Sequence, residues 1–349
     1  MLKVHYKLWL ALIGLAIFVS CSPVQTDSPI TPERLHGQTM GTYYVVSIFA
    51  GEQDVDYAAL QVEIDAELEL VNQLMSTYIP DSELMRFNRW HSTQPFLLSE
   101  PTAEVIAESI RVGLETGGLL DVTIRPLVEL WGFGAEGRIT RAPESEQYQA
   151  ILPYVGIDKL TLDGLWLSKA DPRVSVDLST IAKGYGVDRV ADLLDSKGFA
   201  AYLVEVGGEI RARGPKPDGT PWRIAIEKPD ADGRAVQRII EPGDLALATA
   251  GDYRNYFEQD GVRYSHILDP RTGRPTQGRV VSSTVLHESC MVADGYSTAL
   301  LIMDADEALA FANRIGLAAI LIVKTDDGFV ERVSDTFESF VQSGGATSL

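Results

Sequence analysis

The chain has 349 residues, of which 45% are hydrophobic and 23% are charged, and its formal net charge is −19. This composition is typical of a globular protein that is long enough for one large domain or two small ones. The acidic balance argues against nucleic acid as a partner, because a phosphate backbone requires a basic protein surface.

The N-terminus predicts a targeting segment. A weakly basic start precedes an apolar run over residues 8–19, which is too short to span a membrane comfortably. The run ends beside Cys21, in a layout that resembles the acylation site of bacterial lipoproteins. We therefore predict a signal peptide over 1–20, a lipidated Cys21 with a flexible tether over 21–36, and a folded domain over 37–345. Such a protein would be a membrane lipoprotein that faces the periplasm or the outer surface. A plain signal peptide or an uncleaved anchor is the alternative.

Hydrophobic periodicity predicts an irregular series of helices and strands. The predicted helices cover 56–75, 102–115, 181–197, 291–303 and 305–315. The predicted strands cover 42–50, 160–162, 166–168, 174–177, 201–206, 222–227, 245–249, 262–267, 280–286, 319–323 and 329–333. Because strands and helices do not alternate regularly, we predict an α+β fold with mixed, largely antiparallel sheets and packed helices. Neither a GxGxxG turn nor a GxxxxGK[ST] loop occurs, so no Rossmann or P-loop domain is expected.

Six short blocks of polar and glycine residues are spread along the chain. They are Met-Gly-Thr at 40–42, Met-Ser-Thr-Tyr at 75–78, Gly-Gly-Leu-Leu-Asp-Val-Thr at 117–123, Asp-Leu-Ser-Thr-Ile-Ala-Lys-Gly-Tyr at 177–185, Val-Gly-Gly-Glu at 206–209 and Ala-Thr-Ala-Gly-Asp-Tyr at 248–253. The fourth block is predicted to turn from a strand into a helix, where free N–H groups suit a pyrophosphate. The glycines of the fifth block allow the backbone to approach a ligand closely.

Two later segments carry the most chemistry. The first, at 265–274, contains a base, His266, together with Asp269 and Thr272 in a turn-forming sequence. The second places Asp294 and Thr298 four residues apart, which puts both side chains on one face of a helix. A carboxylate and a hydroxyl on one face suit a hard cation such as Mg²⁺.

In this order, the blocks resemble those of the ApbE family of flavin transferases, over roughly residues 37–340. The resemblance implies an ApbE-like, T-fold-related α+β fold. It also implies Mg²⁺-dependent transfer of the FMN moiety of FAD to a threonine of an acceptor redox protein, with release of AMP. One position departs from the family pattern, because Ala250 stands where the family has Ser.

The resemblance also assigns roles to residues. His266 is expected to be the general base for the threonine hydroxyl, since the pKa of an imidazole lies near working pH. Mg²⁺ is expected at Asp294, Thr298 and a backbone carbonyl near Ala182. Contacts to FAD are expected from Met40, Ser76, Thr77, Tyr78, Asp121, Thr123, Lys183, Gly207, Gly208, Glu209, Thr249, Asp252, Asp269 and Thr272.

Several of these residues also have a purely structural interpretation. Met40 could be a core residue, Lys183 could belong to a solvated helix face, and Asp294 could be an exposed acid at a helix start. His266 could contact the flavin or a phosphate instead of acting as a base. Cys290 is expected to be a buried core residue rather than a reactive thiol.

Two other functions use the same residues. In an FAD pyrophosphatase, water would replace the threonine and the products would be FMN and AMP. A flavin-binding lipoprotein without turnover would keep FAD intact. Retention of Asp294, Thr298 and His266 argues against pure binding.

Overall fold

Helices and strands alternate irregularly through the computed structural model, which describes residues 31–139, 141–229, 236–252, 255–341 and 346–348. The helices in these residues are α1 (Tyr57–Met75), α2 (Glu83–Asn88), α3 (Glu100–Glu115), α4 (Arg125–Leu130), α5 (Ser145–Ile151), α6 (Ala182–Ser196), α7 (Cys290–Ile302), α8 (Ala305–Ile315) and α9 (Asp335–Phe340). Two 3₁₀ turns, Leu152–Tyr154 and Ile157–Lys159, follow α5.

The strands of the first half are β1 (Glu33–Thr39), β2 (Thr42–Phe49), β3 (Phe96–Leu97), β4 (Leu160–Asp163), β5 (Trp166–Lys169), β6 (Ala201–Val206), β7 (Glu209–Arg213), β8 (Ile224–Glu227) and β9 (Val236–Ile240). Those of the second half are β10 (Ala246–Gly251), β11 (Tyr256–Gln259), β12 (Val262–Ser265), β13 (Leu268–Asp269), β14 (Arg274–Pro275), β15 (Val280–His287), β16 (Ala318–Thr325), β17 (Gly328–Val333) and β18 (Ala346–Ser348).

The main sheet has eight strands in the order β1-β2-β6-β7-β10-β15-β16-β17, and every neighbouring pair is antiparallel. Two three-stranded sheets, β18-β9-β8 and β3-β5-β4, and the hairpins β11-β12 and β13-β14 complete the described sheets. The predicted α+β class with largely antiparallel pairing is therefore confirmed.

The two faces of the main sheet are covered by different elements. On one face, apolar residues of β1, β2 and β6 pack against α1 and α6, and those of β10, β15 and β16 pack against α7 and α8. On the other face, the alternate residues Leu247, Leu286 and Ile320 pack against Ile224 of β8 and Phe337 of α9. This alternation follows from the two-residue period of a strand, and it places α6 and α7 side by side on one face.

Helix α1 forms where the apolar spacing predicted it. Asp56 caps its N-terminus by accepting a hydrogen bond from the N–H of Ala59 at 3.0 Å. Its buried residues Leu60, Ile64 and Leu68 recur every four positions, and they form the stripe that packs on the sheet. In the part of the chain that the structure describes, no helix combines the length and the apolar character needed to cross a membrane.

One predicted boundary and one predicted strand need correction. Strand β1 starts at Glu33, inside the segment predicted as a tether, because it pairs with β2 along its whole length. Residues 174–177, predicted as a strand, form only an isolated bridge between Ser175 and Ile124. The amide of Asn88 takes the place of a partner strand there. It donates to the carbonyl of Val176 at 2.8 Å and accepts from its N–H at 2.7 Å.

Candidate active site

A cavity of about 620 Å³ opens where the N-terminal turn of α6 meets α7 and the adjacent ends of β7 and β10. The turn between β6 and β7, the chain before α4, residue 255 and residues 266–268 form further parts of its wall. Asp294 and Thr298 both line the cavity from α7, as their four-residue spacing predicted. The site is thus assembled from elements that are distant in the sequence and adjacent in the sheet.

Lys183, Glu209 and Asp294 form a charged cluster in the cavity wall. The Nζ of Lys183 lies 3.1 Å from Oε1 of Glu209 and 3.4 Å from Oδ2 of Asp294. The N–H of Gly184 also donates to Oδ2 of Asp294, at 3.1 Å. Both carboxylates are buried, with 3% of each residue exposed. Two negative charges therefore face one positive charge, and the fully ionised cluster keeps one uncompensated negative charge.

This charge balance controls the ionisation of the cluster. Burial raises the pKa of Glu209 and of Asp294, and Lys183 opposes the rise in both. Burial alone would lower the pKa of Lys183, but the Asp294 and Glu209 carboxylates raise it above its ordinary value. Lys183 is therefore a fixed cation in this site, and the alternative that it lies on a solvated face is wrong.

The cluster fits a hard divalent cation. The second oxygen of Glu209, Oε2, is buried and has no hydrogen-bond partner, and the same holds for Oγ1 of Thr180 on the cavity wall. An added cation would offset the uncompensated negative charge and favour the ionised carboxylates. In the described residues, no three His, Cys, Asp or Glu side chains are grouped closely enough to hold a metal by themselves. Water and phosphate oxygens would therefore supply the remaining ligands, as they commonly do for Mg²⁺.

His266 lines the cavity in a defined tautomer. Its Nδ1 lies 3.0 Å from the carbonyl oxygen of Asn255, which also accepts the His266 N–H at 3.0 Å. Because a carbonyl oxygen can only accept a hydrogen bond, Nδ1 carries the proton in this bond. Nε2 is therefore unprotonated and can accept a proton. Burial lowers the pKa of His266, the hydrogen bond to the Asn255 carbonyl opposes this shift, and the charge of Lys183 lowers the pKa further. The imidazole is thus neutral and oriented at neutral pH.

Apolar and aromatic side chains form the rest of the wall. Leu120, Ile124 and Phe133 line one part, and the ring of His266 meets Phe133 edge-on with centroids 6.3 Å apart. Tyr78 also lines the cavity, and 69% of the residue is exposed. An exposed aromatic ring at a cavity rim can stack against a flat ligand.

The structure brings most of the predicted site residues together. Those that line the cavity are Thr77, Tyr78, Asp121, Lys183, Gly207, Gly208, Glu209, Thr249, His266, Asp294 and Thr298. Burial raises the pKa of Asp121 to about 6, although hydrogen bonds from Thr123 oppose the shift. Asp294 is the fifth residue of α7, whose N-cap is Ser289, so it is not an exposed acid at a helix start.

The other predicted site residues lie outside the lining. Met40 has a positive φ of 48° and packs against two core clusters, which agrees with its structural interpretation. Ser76 accepts the N–H of Tyr78, and Thr123 bonds to Asp121 and to the N–H of Gly156, so both shape turns.

Four more predicted residues, Ala182, Asp252, Asp269 and Thr272, also lie outside the lining. Ala182 is the first residue of α6. Asp269 makes an ion pair with Arg271, whose Nη2 lies 2.9 Å from Oδ2, and Thr272 belongs to the same turn. Asp252 follows β10, where its N–H donates to Val281. Cys290 is fully buried, as predicted, whereas Cys21 lies outside the described residues.

Several cavity residues were not singled out by the sequence. Asp177, Ser179 and Thr180 precede Lys183 in the same block, and their polar character next to a predicted helix start was the available signal. Asn255, which orients His266 through its backbone carbonyl, carried no such signal because any residue type can supply that group.

The fold and the cavity define an α+β enzyme scaffold in which an antiparallel sheet and the helices α6 and α7 together hold an acid–lysine cluster in the same cavity as a neutral imidazole. A sequence model described as the ApbE family matches residues 40–321. The chain belongs to the ApbE family.

Named relatives agree with this assignment. The chain is 53% identical over 334 residues to a Vibrio cholerae protein named FAD:protein FMN transferase, and the alignment covers 95% of this chain and 98% of that protein. It is 45% identical to the protein of the same name from Haemophilus influenzae, and the alignment covers 97% of this chain and 99% of that protein.

Solved structures agree as well. The flavin transferase ApbE from Vibrio cholerae superimposes with a TM-score of 0.83 at 53% identity, covering 88% of this chain and 98% of that chain. The apo Pseudomonas stutzeri flavinyl transferase ApbE superimposes with a TM-score of 0.82 at 37% identity, covering 89% of this chain and 98% of that chain.

Proposed function

We propose that this flavinyltransferase moves the FMN moiety of FAD to a threonine hydroxyl of an acceptor redox protein and releases AMP, in a Mg²⁺-dependent reaction. The names of its relatives support flavin transfer to a protein. The single observation that carries the chemistry is the Lys183–Glu209–Asp294 cluster, which lies in the same cavity as His266.

Phosphoryl transfer at a pyrophosphate needs an activated nucleophile and compensation of negative charge. The acceptor threonine oxygen attacks the phosphorus of the FMN half, and the bond to the bridging oxygen breaks. The bridging oxygen leaves on AMP with the bonding electron pair. Nε2 of His266 takes the proton of the threonine, since Nδ1 is already committed to Asn255. Lys183 holds a positive charge beside the phosphates through the whole step.

Asp294 and Thr298 would hold Mg²⁺ on the face of α7 that lines the cavity. The unpartnered Oε2 of Glu209 is a further oxygen available to it, directly or through water. When bound, the ion would neutralise charge on the phosphate oxygens. Asp294 stays oriented by the N–H of Gly184, so its carboxylate is fixed before a ligand arrives.

One incubation separates this function from its two alternatives. Purified protein is mixed with FAD, Mg²⁺ and a candidate acceptor, and the products are separated under denaturing conditions. Flavin fluorescence on the acceptor band supports the transferase. Free FMN and AMP with an unlabelled acceptor indicate a pyrophosphatase, and intact FAD indicates a binding protein. Asp294→Asn is the inactive control, because it keeps the side-chain volume and removes the charge.

We also propose that the enzyme is a bacterial membrane lipoprotein, exported by the segment 1–20 and acylated at Cys21, with residues 21–32 as its tether. The apolar run that ends at Cys21 supports this proposal. The anchor would hold the catalytic domain at the membrane, next to membrane-bound redox acceptors.

A further inference from the structure

A buried carboxylate on α6 connects the elements that carry the charged cluster. Oδ1 of Asp188 accepts hydrogen bonds from the N–H of Cys290 and from Arg211, both at 3.0 Å. Its Oδ2 accepts from the N–H of Met291 at 3.0 Å and from the hydroxyl of Ser289 at 2.7 Å. Arg211 belongs to β7, and the other three donors form the start of α7. Asp188 is 9% exposed and does not line the cavity.

The same three elements carry the cluster. Lys183 is on α6, Glu209 is on β7 and Asp294 is on α7. Arg211 follows Glu209 by two residues, so both side chains project from the same face of β7. Cys290 precedes Asp294 by four residues, which is about one helical turn. The hydrogen bonds of Asp188 thus lie about one turn from the cluster on α7 and about one and a half turns from it on α6.

The contact between α6 and α7 has little room for adjustment. A Cβ at Gly184 would lie 2.4 Å from the carbonyl oxygen of Cys290 and 2.8 Å from Cα of Met291, so the two backbones touch directly. On α6, this contact lies about one turn before Asp188, beside the Gly184 N–H that binds Asp294. Helices α6 and α7 therefore contact each other at two points, the Gly184 backbone and the hydrogen bonds of Asp188. Loss of one of these contacts displaces the other.

We propose that Asp188 is a positioning residue that fixes the distances between Lys183, Glu209 and Asp294, and with them the capacity of the cavity to bind a divalent cation at a phosphate. The proposal deepens the proposed function and rests on it. A carboxylate is needed because it accepts from two N–H groups of α7 and also balances the charge of Arg211. The amide of an asparagine would offer only one accepting oxygen, whereas the present donors are shared between two carboxylate oxygens.

The variant that tests this role is Asp188→Asn, with Asp192→Asn as the matched control. Asp192 lies on the same helix and also approaches Arg211, at 3.6 Å, but its side chain is 59% exposed. Mg²⁺ is titrated calorimetrically into each FAD-loaded protein without acceptor, and transfer to an acceptor is then measured per FAD-binding site. Supporting groups behind a metal ligand typically contribute about 10–100-fold in metal affinity or activity.

For Asp188→Asn we expect Mg²⁺ affinity and kcat per FAD site to fall at least about tenfold, with metal-free FAD affinity within about threefold of wild type. Asp192→Asn should match wild type. A purely structural role would reduce the number of FAD sites and leave the Mg²⁺ affinity of each site unchanged, and this result would overturn the proposal. Equal Mg²⁺ affinity in wild type and Asp188→Asn, including no binding by either, would also overturn it.

The two proposals fail in different ways. If wild type binds Mg²⁺ and Asp188→Asn binds it weakly, but neither labels an acceptor, the positioning role stands and the transferase function fails. If Asp188→Asn yields no folded protein, Ser289→Ala decides, because it removes one donor to Asp188, together with the N-cap bond from Val292, and keeps the carboxylate. We then expect about a threefold loss of Mg²⁺ affinity, and wild-type affinity would contradict the role of Asp188.

Discussion

Replacing Asp294 by Asn tests the metal and phosphate chemistry of the cavity with the least structural change. The side chains have the same shape, and the amide oxygen of Asn can still accept the N–H of Gly184 at about the present 3.1 Å. The variant removes one of two buried negative charges that share Lys183. Because that charge is uncompensated in the fully ionised cluster, its loss should leave the melting temperature unchanged or higher.

Although Asp294→Asn should not lower the melting temperature, it should lower the rate of FMN transfer. A cation held at a phosphate provides several kcal/mol of transition-state stabilisation, and about 1.36 kcal/mol corresponds to a factor of ten in rate. Loss of its carboxylate ligand should therefore lower FMN transfer at least about 100-fold, which is about 2.7 kcal/mol. High Mg²⁺ should restore part of the loss, because the other ligands remain.

The assay is the initial rate of flavin attachment to an acceptor across a series of Mg²⁺ concentrations, with a thermal melt of each protein. Ser297→Ala is the matched control, because Ser297 is buried on α7 and donates to the backbone carbonyl of Asp294 without lining the cavity. It should retain a rate within about threefold of wild type. Near-normal transfer by a folded Asp294→Asn protein would refute the reasoning.

Three further predictions use the same assay or a simple fractionation. Thr298→Ala should slow transfer by less than Asp294→Asn, because water can replace a hydroxyl ligand; an equal or larger loss would contradict this order. His266→Ala should lower transfer about 10²–10⁴-fold with little change in FAD affinity. Since only the neutral imidazole accepts a proton and burial lowers its pKa, wild-type activity should fall only below the ordinary histidine range, and the variant should lack this acid limb. An equal loss of FAD affinity would make His266 a ligand contact instead. Cys21→Ala should release the protein from membranes or stall its precursor, and wild-type fractionation without fatty-acid labelling of either form would contradict the anchor.

Regular elements were predictable where one face of the chain is continuously apolar. Helices α1, α7 and α8 start and end within about two residues of the predicted positions, because their apolar spacing is dictated by the sheet that they cover. The segment 174–177 has the composition of a strand, yet its backbone is paired by the side chain of Asn88, which is distant in sequence. The residue pattern within 174–177 carries no information about Asn88, so this pairing could not be predicted from it.

The site was predictable as a set of residues but not as a charge balance. The spacing of Asp294 and Thr298 placed both on one helix face without further information. The sharing of Lys183 between two buried carboxylates depends on the sheet order, which brings β7 next to β10 and α6 next to α7. The role of Asp188 was not predictable for the same reason, because all four of its donors belong to elements that fold back onto α6.

The most direct test of the central claim is a count of AMP released per flavin attached to the acceptor. Wild-type protein is incubated with FAD, Mg²⁺ and an acceptor, AMP is quantified chromatographically, and the acceptor is weighed by mass spectrometry. We predict one AMP for each acceptor that gains FMN less one water on a threonine, and neither product with an acceptor whose threonine is replaced by alanine. AMP and free FMN released in equal amounts, with an acceptor of unchanged mass, would contradict the account.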